Sequence, residues 1–274
     1  MNITMLYSRH KLADLFHLRF PDTHFLFFSE LPSTNAYLRE HARVYAPSAF
    51  CMTPRQTAGY GQRLRKWEST GATLTFSLLI RINQPLSALE GITPLIGLKL
   101  IEALCYYSEE QFSIKWPNDI YMGNKKVAGI LVETALCKET YTDVVVGIGI
   151  NLDSPQEPIQ VEQSVLADKV NAGFVRLRSD IADNVEQLLA DIVARLQSLG
   201  RDFVPGLLES YALNYRLVDY FKEHETVIVY DSGHHQTAYY IGLSKAGALQ
   251  LLVENELVEF CTGAVSIRKY NELL

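Results

Sequence analysis

The segment from Lys115 to Glu133, KWPNDIYMGNKKVAGILVE, constrains the fold more than any other part of the chain. Two strand-like runs flank the dipeptide Gly123-Asn124, which is typical of the tight turn of a β-hairpin. Gly129 lies inside the second run, and a glycine within a strand indicates a place where the backbone approaches a ligand closely. The segment therefore predicts a hairpin that forms one surface of a binding site.

The rest of the chain up to about residue 218 predicts a mixture of strands and helices. Short apolar or alternating runs predict strands over 24–30, 48–53, 72–82 and 144–152. Helical spacing of apolar residues predicts helices over 88–107, from near 179 to 200, and over 205–216. The period-two alternation in the third of these strands also indicates burial on one face.

The pattern changes after about residue 220. Five short strand candidates follow, separated by turn signals and without a helical pattern between them. A small β-barrel is the most economical interpretation. We therefore predict an α+β domain over 1–218, of which 1–28 form a short N-terminal extension, and a β-barrel domain over 219–274.

Composition restricts the classes of partner. The 25 basic and 31 acidic side chains give a formal net charge of −6, so general affinity for nucleic acid or for an acidic membrane surface is not expected. No segment reaches the ~18 uninterrupted apolar residues of a membrane span. Polar residues such as Asp14 and His17 also interrupt the N-terminal apolar stretch, which argues against a signal peptide.

The four cysteines form no close pair, which argues against a disulfide framework or a zinc site. They lie in apolar runs, so we expect reduced and buried thiols, with Cys51 and Cys261 in the core, and a cytoplasmic protein. His234 and His235 fall in a predicted hairpin turn, where solvated side chains are commoner than metal ligands.

Four motifs carry functional information, and each is weak by itself. A Ser-Thr-Asn triplet is more often a helix cap than a ligand site, Gly-x-Gly is common in turns, and a strand lysine is usually solvated. The motifs are STN at 33–35, QTAGYGQRLRKW at 56–67, KWPND with AGILVE within 115–133, and GIGINL at 147–152. Their order and spacing together indicate a single site.

This combination resembles the biotin protein ligases, in which KWPND followed by a lysine and AGILVE is the most specific signature. The resemblance covers about residues 29–269 and includes GLSKAGAL and GAVSIR near the C-terminus. It implies a catalytic domain of the class II synthetase and lipoate ligase type, with a mixed sheet and flanking helices, and a barrel of the Src-homology-3 type. Only some 28 residues precede the STN motif, so we expect no DNA-binding winged helix and no nucleic acid or membrane partner.

The activity implied by the resemblance is ATP-dependent conversion of biotin to biotinyl-5'-AMP, followed by transfer to a lysine. The protein partner would be the biotin carboxyl carrier domain of acetyl-CoA carboxylase or of another biotin-dependent carboxylase. ATP and biotin would be substrates, with Mg²⁺ as cofactor. Such chemistry needs cations and hard oxygen ligands around the phosphates, and paired donors and acceptors around the ureido ring of biotin.

The resemblance also assigns candidate site residues. For biotin they are Ser33, Thr34, Asn35, Gln56, Tyr60, Gly61, Gln62, Lys126 and Gly129. For ATP they are Arg63, Arg65, Trp67, Lys115, Asn118, Asp119, Asn151 and Arg268. The candidate catalytic residues are Lys126, Asp119 and Arg63. Lys126 is expected to neutralise the carboxylate of biotin, and Asp119 to act as base, as Mg²⁺ ligand or as both.

Two other functions stay open from the sequence. One is a degenerate protein that binds biotin or its adenylate without transfer, and the other is a lipoate or octanoate ligase of the related fold. The KWPND motif and the C-terminal barrel argue against the lipoate alternative. The chain is expected to be a monomer or a homodimer, and the pattern does not choose between them.

The glycine-rich loop departs from the family pattern. Tyr60 stands where the family usually has arginine, Gln62 stands where it often has arginine, and Leu64 stands where glycine is common. Ala264 likewise replaces an acidic residue that is frequent before VSIR. Two cations are therefore missing from a loop that is expected to cover biotin and the adenylate.

We predict that Gln62→Arg slows the release of biotinyl-AMP from the enzyme. One charge-assisted contact contributes roughly 1.5 to 3 kcal/mol, which corresponds to at least a tenfold slower release. The release rate of adenylate from the natural protein and from the variant checks this. Equal rates would contradict the expectation.

Overall fold

Two β-sheets organise the chain in this computed structural model, which describes residues 6–67, 73–152, 172–181, 183–231, 234–261 and 264–270. The larger sheet has the strand order β1-β2-β3-β7-β6-β5-β4. Its strands are β1 (His24–Phe27), β2 (Ser48–Met52), β3 (Thr73–Ile82), β4 (Ser113–Lys115), β5 (Asp119–Met122), β6 (Lys125–Cys137) and β7 (Thr142–Asn151). The β1–β2 pair is parallel and the other described pairs are antiparallel.

The predicted hairpin is confirmed as β5 and β6, joined by the turn at Gly123-Asn124. Gly123 has a φ of 58°, a left-handed conformation that glycine adopts without steric cost. A register irregularity between Ile120 and Tyr121 places Asp119 opposite Gly129 and Tyr121 opposite Lys126. The hairpin thus brings a carboxylate and an ammonium group to the same part of the sheet.

Helices cover both faces of the central strands. The helices are α1 (Arg9–Arg19), α2 (Thr34–Glu40), α3 (Ala42–Tyr45), α4 (Ile92–Tyr107), α5 (Asn184–Asp202), α6 (Leu207–Ser210) and α7 (Ala212–Leu217). The long helices α4 and α5 pack against each other, and the apolar side of β3 belongs to the same core. Helix α2 packs on β3, β6 and β7 and shares a second core with Leu79 and Val145.

Several predictions about single strands and helices need correction. The expectation that β3 is buried on one face is wrong, because α2 also covers Ser77 and Leu79 on the opposite face. The predicted helix over 205–216 is divided into α6 and α7, and α5 begins about five residues later than expected. Helix α1 lies in the predicted N-terminal extension, and Leu12 and Phe16 are the only residues of this helix that are buried, so its apolar periodicity is weak.

The C-terminal part forms a five-stranded antiparallel sheet with the order β11-β10-β9-β8-β12. Its strands are β8 (Thr226–Asp231), β9 (His234–Leu243), β10 (Leu249–Val253), β11 (Glu256–Phe260) and β12 (Ser266–Lys269). They coincide with the five predicted candidates, and they enclose a core of their own. His234 and His235 are exposed at the start of β9 rather than in a turn. The predicted α+β fold with a small C-terminal β-unit is confirmed, and the boundary at 218 stays a prediction.

The two sheets are joined through β4 and the segment that follows α7. The amide of Ile114 donates to the carbonyl of Val218 at 2.6 Å, and the amide of Tyr220 donates to the carbonyl of Ile114 at 3.0 Å. Trp116 belongs to the core of the C-terminal sheet, and its Nε1 donates to the carbonyl of Gly247 at 3.1 Å. The KWPND motif is therefore packed directly against the C-terminal sheet.

The cysteine prediction is only partly correct. Cys51 is buried on β2, whereas Cys105, Cys137 and Cys261 are exposed. Cys137 ends β6 and Cys261 follows β11, and strand ends lie at the surface even when the run before them is apolar. Within the described residues, no helix combines the length and apolar character needed to span a membrane.

Asp219 is buried at the junction of the two sheets. Its Oδ2 accepts a hydrogen bond from the Tyr240 hydroxyl at 2.5 Å, and its Oδ1 accepts one from the amide of Phe221 at 3.2 Å. Burial raises the pKa of Asp219 from 3.8 to about 6, although these hydrogen bonds and the charges of Lys222 and Lys269 act in the opposite direction.

We predict that Asp219 makes the protein less stable as the pH rises from about 4 to about 6. The folded state binds this proton more tightly than the unfolded chain, so the stabilisation is complete below pH 4 and is lost through the folded-state pKa. Between pH 4 and pH 6, the free energy of unfolding measured with urea should fall by an amount on the order of 3 kcal/mol more in wild type than in Asp219→Asn. Parallel pH profiles for the two proteins would contradict this.

Candidate functional site

A cavity of about 640 Å³ lies between the hairpin, the loop over 56–67 and the start of α2. One side is closed by Val265 and by strand β12 of the C-terminal sheet, which contributes Ser266, Ile267 and Arg268. The cavity brings together almost all predicted site residues: Ser33, Thr34, Asn35, Gln56, Tyr60, Gly61, Gln62, Arg63, Arg65, Trp67, Lys115, Asn118, Asp119, Lys126, Gly129 and Arg268. The four motifs therefore converge on one place.

Asn151 is the predicted residue that lies outside this lining. It ends β7, where its Nδ2 donates to the carbonyl of Gly173 at 3.2 Å. Its Oδ1 accepts from the Thr73 hydroxyl at 3.5 Å. The Asn151 side chain thus ties the end of the sheet to the segment that begins at residue 172.

Three glycines form the floor of the cavity: Gly129 on β6, and Gly147 and Gly149 on β7. We call them the glycine floor, and Gly129 is paired directly with Gly149. A Cβ atom at Gly149 would lie 2.1 Å from Cζ2 of Trp67, and one at Gly147 would lie 2.1 Å from Oδ1 of Asn35. The missing side chains therefore allow Trp67 and Asn35 to lie directly on the sheet.

Lys126 and Asp119 form an ion pair above this floor. The Lys126 Nζ lies 2.5 Å from the Asp119 Oδ1, and the two side chains are 23% and 26% exposed. The same ammonium group lies 5.7 Å from the centre of the Trp67 ring system. An anion entering the cavity would compete with Asp119 for Lys126, so the Lys126 ammonium group can exchange one anionic partner for another.

The other polar residues of KWPND are fixed by different contacts. Asn118 is buried, and its Nδ2 donates to the carbonyl of Ile130 at 2.6 Å, which braces the turn before β5 against β6. The Lys115 Nζ lies 5.1 Å and 5.2 Å from the ring centres of Tyr121 and Tyr220. Aromatic faces stabilise a cation at such distances, so Lys115 is held at the cavity by the C-terminal junction.

The start of α2 forms a polar wall. Ser33 is the helix cap, because its hydroxyl accepts from the amide of Ala36 at 3.3 Å. Both the amide and the hydroxyl of Thr34 donate to Oε1 of Gln56, at 2.8 Å and 3.2 Å. The Ser77 hydroxyl lies 2.7 Å from Oγ1 of Thr34 and donates to Oδ1 of Asn35 at 2.5 Å.

Sequence reasoning missed two residues of this wall, Ser77 and Glu133. Ser77 is completely buried beneath Thr34 and Asn35, but in the sequence it is one of several alternating polar positions of β3, so nothing distinguished it. Glu133 accepts hydrogen bonds from Asn35 Nδ2 and from the Tyr60 hydroxyl, each at 2.9 Å, and forms an ion pair with Arg39. Its partners are distant in sequence, so the motif alone did not indicate them.

Nowhere in the described part of the chain do three or more His, Cys, Asp or Glu side chains gather as they would around a metal ion. Asp119 is the one acidic side chain among the described residues of the cavity lining. A resident metal held by protein ligands alone is therefore not indicated. A single carboxylate still suits Mg²⁺ that arrives with a phosphorylated substrate, since Mg²⁺ is commonly bound by one or two carboxylates together with phosphates.

Known proteins are similar to this chain in sequence and in fold. The model of the biotin/lipoate A/B protein ligase family matches residues 27–151. The bifunctional ligase/repressor BirA of Escherichia coli is 30% identical over 243 residues, which cover 87% of this chain and 72% of that protein. The biotin--[acetyl-CoA-carboxylase] ligase of Paracoccus denitrificans is 33% identical over 132 residues, which cover 47% of this chain and 55% of that protein.

Solved structures give the same result for the fold. The biotin protein ligase of Aquifex aeolicus, determined in complex with biotin and ATP, superposes with a TM-score of 0.67 at 27% identity. The match covers 90% of this chain and 99% of that one, so it includes the C-terminal sheet as well as the larger one.

We predict that Gly149→Ala displaces Trp67 from the glycine floor, because the new Cβ would overlap the indole ring. The cost of such overpacking is about 1 to 3 kcal/mol. With 5-fluorotryptophan in both tryptophan positions, the ¹⁹F resonance of Trp67 should shift while that of Trp116 stays. Gly61→Ala is the control, since its Cβ would meet nothing closer than 3.9 Å. An unshifted Trp67 resonance in Gly149→Ala would refute the assignment.

Proposed function

Because the chain belongs to the biotin/lipoate A/B protein ligase family, and within it to the biotin protein ligases, we propose that it activates biotin with ATP and transfers it to a protein lysine. The observation that carries the proposal is the Lys126–Asp119 ion pair above the glycine floor. It places the ammonium group of Lys126, which can change its anionic partner, where a carboxylate substrate can lie flat against the sheet. The polar wall of Thr34 and Gln56 faces the same cavity and suits the ureido ring.

In the first half-reaction, a carboxylate oxygen of biotin bonds to the α-phosphorus of ATP, and the bond from that phosphorus to pyrophosphate breaks. We propose that the carboxylate replaces Asp119 as the partner of Lys126. The ammonium group neutralises this carboxylate during the attack and then stays beside the acyl-phosphate oxygen. Arg63, Arg65, Lys115 and Arg268 line the same cavity and are the proposed contacts of the phosphates.

Asp119 becomes available when Lys126 changes partner. With Asn118 it would hold Mg²⁺, which when bound neutralises charge on the phosphoryl oxygens of ATP. The fit is supported by the carboxylate of Asp119, which lines the cavity. Asn118 is fixed by its bond to Ile130, so its position does not depend on the substrate.

In the second half-reaction, the amine of the acceptor lysine bonds to the acyl carbon and AMP leaves. The amine has an ordinary pKa of about 10.4 and must lose a proton on approach. Asp119 is the proposed acceptor of that proton. The acceptor is a biotin carboxyl carrier protein, and we propose the carrier domain of acetyl-CoA carboxylase, the substrate named for the Paracoccus denitrificans relative.

We also infer a cytoplasmic location. The chain has one buried and three exposed free cysteines. Such thiols are kept reduced in the cytosol.

We predict that the protein, given ATP, Mg²⁺ and biotin, adds one biotinyl group to an apo carrier domain, as seen in the carrier mass. Biotin binding without transfer, or transfer of lipoate instead, would overturn the proposed function.

In the same reaction mixture, pyrophosphate release can be followed instead of carrier mass. Lys126→Ala should lower the rate of this release at saturating biotin by roughly two to three orders of magnitude, a loss typical for one group that stabilises developing charge. Lys125→Ala is the matched control, because Lys125 is its exposed neighbour on β6. Pyrophosphate release that is equal in the two variants would exclude the role given to Lys126.

A further inference from the structure

The loop over 59–67 has internal structure of its own. The amide of Trp67 donates to the carbonyl of Gly59 at 2.9 Å, and the amide of Gly61 donates to the carbonyl of Arg65 at 2.8 Å. Tyr60 and Lys66 form an antiparallel bridge between these bonds. The loop is therefore a small hairpin, and its position depends on how it is attached to the sheet.

The Tyr60 hydroxyl supplies one such attachment. It donates to Oε2 of Glu133 on β6 at 2.9 Å. Hydrogen bonds to a carboxylate are stronger than those between neutral groups. Burial, and then the bond to Glu133, raise the pKa of Tyr60, so the phenol keeps its proton and remains a donor at neutral pH.

Glu133 is held in place by α2. Arg39 forms an ion pair with its Oε1, and Asn35 Nδ2 donates to its Oε2 at 2.9 Å. The Glu133 side chain is 18% exposed and therefore partly shielded from water. One carboxylate thus joins the loop, the start of α2 and strand β6.

The same carboxylate connects two walls of the proposed biotin site. Asn35 accepts from Ser77 through its Oδ1 and donates to Glu133 through its Nδ2, so its amide orientation is fixed from both sides. Tyr60 forms the facing wall and depends on Glu133 directly. Losing the Tyr60 contact would remove one attachment of the loop while leaving Asn35 and Arg39 in place.

We infer that Glu133 and Tyr60 are positioning residues: their hydrogen bond holds the 59–67 loop over the cavity before any substrate binds, and slows release of the bound adenylate. The second part of this inference rests on the proposed function, whereas the first part does not. Tyr60 stands where the family usually has arginine. In this chain the loop is therefore held by a hydrogen bond from a tyrosine to a carboxylate instead of by a contact of an arginine.

Trypsin tests the first part on the ligand-free protein. Arg63, Arg65 and Lys66 are exposed in the loop, and cleavage there requires the loop to leave the cavity locally. Tyr60→Phe should be cut after these residues about tenfold faster than wild type, with cleavage sites identified by mass spectrometry, because one hydrogen bond to a charged acceptor is lost.

The control is Tyr37→Phe, which removes a hydroxyl 3.4 Å from that of Tyr45 on the neighbouring helices. It should leave the rate of loop cleavage unchanged. Glu133→Gln should accelerate cleavage, and adding Tyr60→Phe to it should add little, since both changes remove one contact. Equal loop cleavage in Tyr60→Phe and wild type, or fully additive effects in the double variant, would overturn the inference.

The second part is tested by the rate at which preformed biotinyl-AMP leaves the enzyme. That rate should rise several-fold in Tyr60→Phe and should not change in Tyr37→Phe. If wild type forms no adenylate, the proposed function fails, and the trypsin result still decides the role of the Tyr60–Glu133 bond. Faster loop cleavage with unchanged adenylate release would contradict the second part alone.

Discussion

The direct pairing of Gly129 with Gly149 at the centre of the larger sheet is the constraint on which the site depends. Two neighbouring strands without side chains on one face leave a flat depression in a sheet that is otherwise covered by α2. The chain fills part of that space with Trp67, whose indole could not lie there beside a Cβ at position 149. The adjacent Gly147 admits Asn35 in the same way. The loop that carries Trp67 and the helix that carries Asn35 are thereby brought to facing sides of one cavity.

The charge of the cavity differs from that of the whole protein. The chain has a net charge of −6, yet the cavity lining, as far as its residues are described, contains Arg63, Arg65, Lys66, Lys115, Lys126 and Arg268 against Asp119 alone. A cavity with this excess of positive charge concentrates anions locally without giving the protein general affinity for nucleic acid. Both substrates of a biotin ligase, ATP and biotin, carry negative charge. The ion pair with Asp119 keeps the Lys126 ammonium group partly neutralised until a substrate carboxylate replaces the carboxylate of Asp119.

The structural features that could be predicted from the sequence are local ones. The turn at Gly123-Asn124 and the five C-terminal strands follow from turn chemistry and alternation within a few residues, and motif spacing identified the residues that line the cavity. The parts it did not predict depend on distant contacts. Glu133 stands at the end of the best motif, but its partners Asn35 and Tyr60 lie 98 and 73 residues away. Burial of both faces of β3 likewise requires α2 to fold back over it, and the weak apolar pattern of α1 gave no signal before its packing on α5 was known.

We propose that the glycine floor and Lys126 receive the acyl group of a biotinyl adenylate. A crystal structure of this protein with biotinyl-5'-AMP tests this placement most directly. The acyl carbonyl oxygen should lie within hydrogen-bond distance of Lys126 Nζ, Asp119 should no longer contact that nitrogen, and the ureido ring should lie beside Thr34 and Gln56. An adenylate bound elsewhere in the cavity, with the Lys126–Asp119 ion pair intact, would contradict this placement.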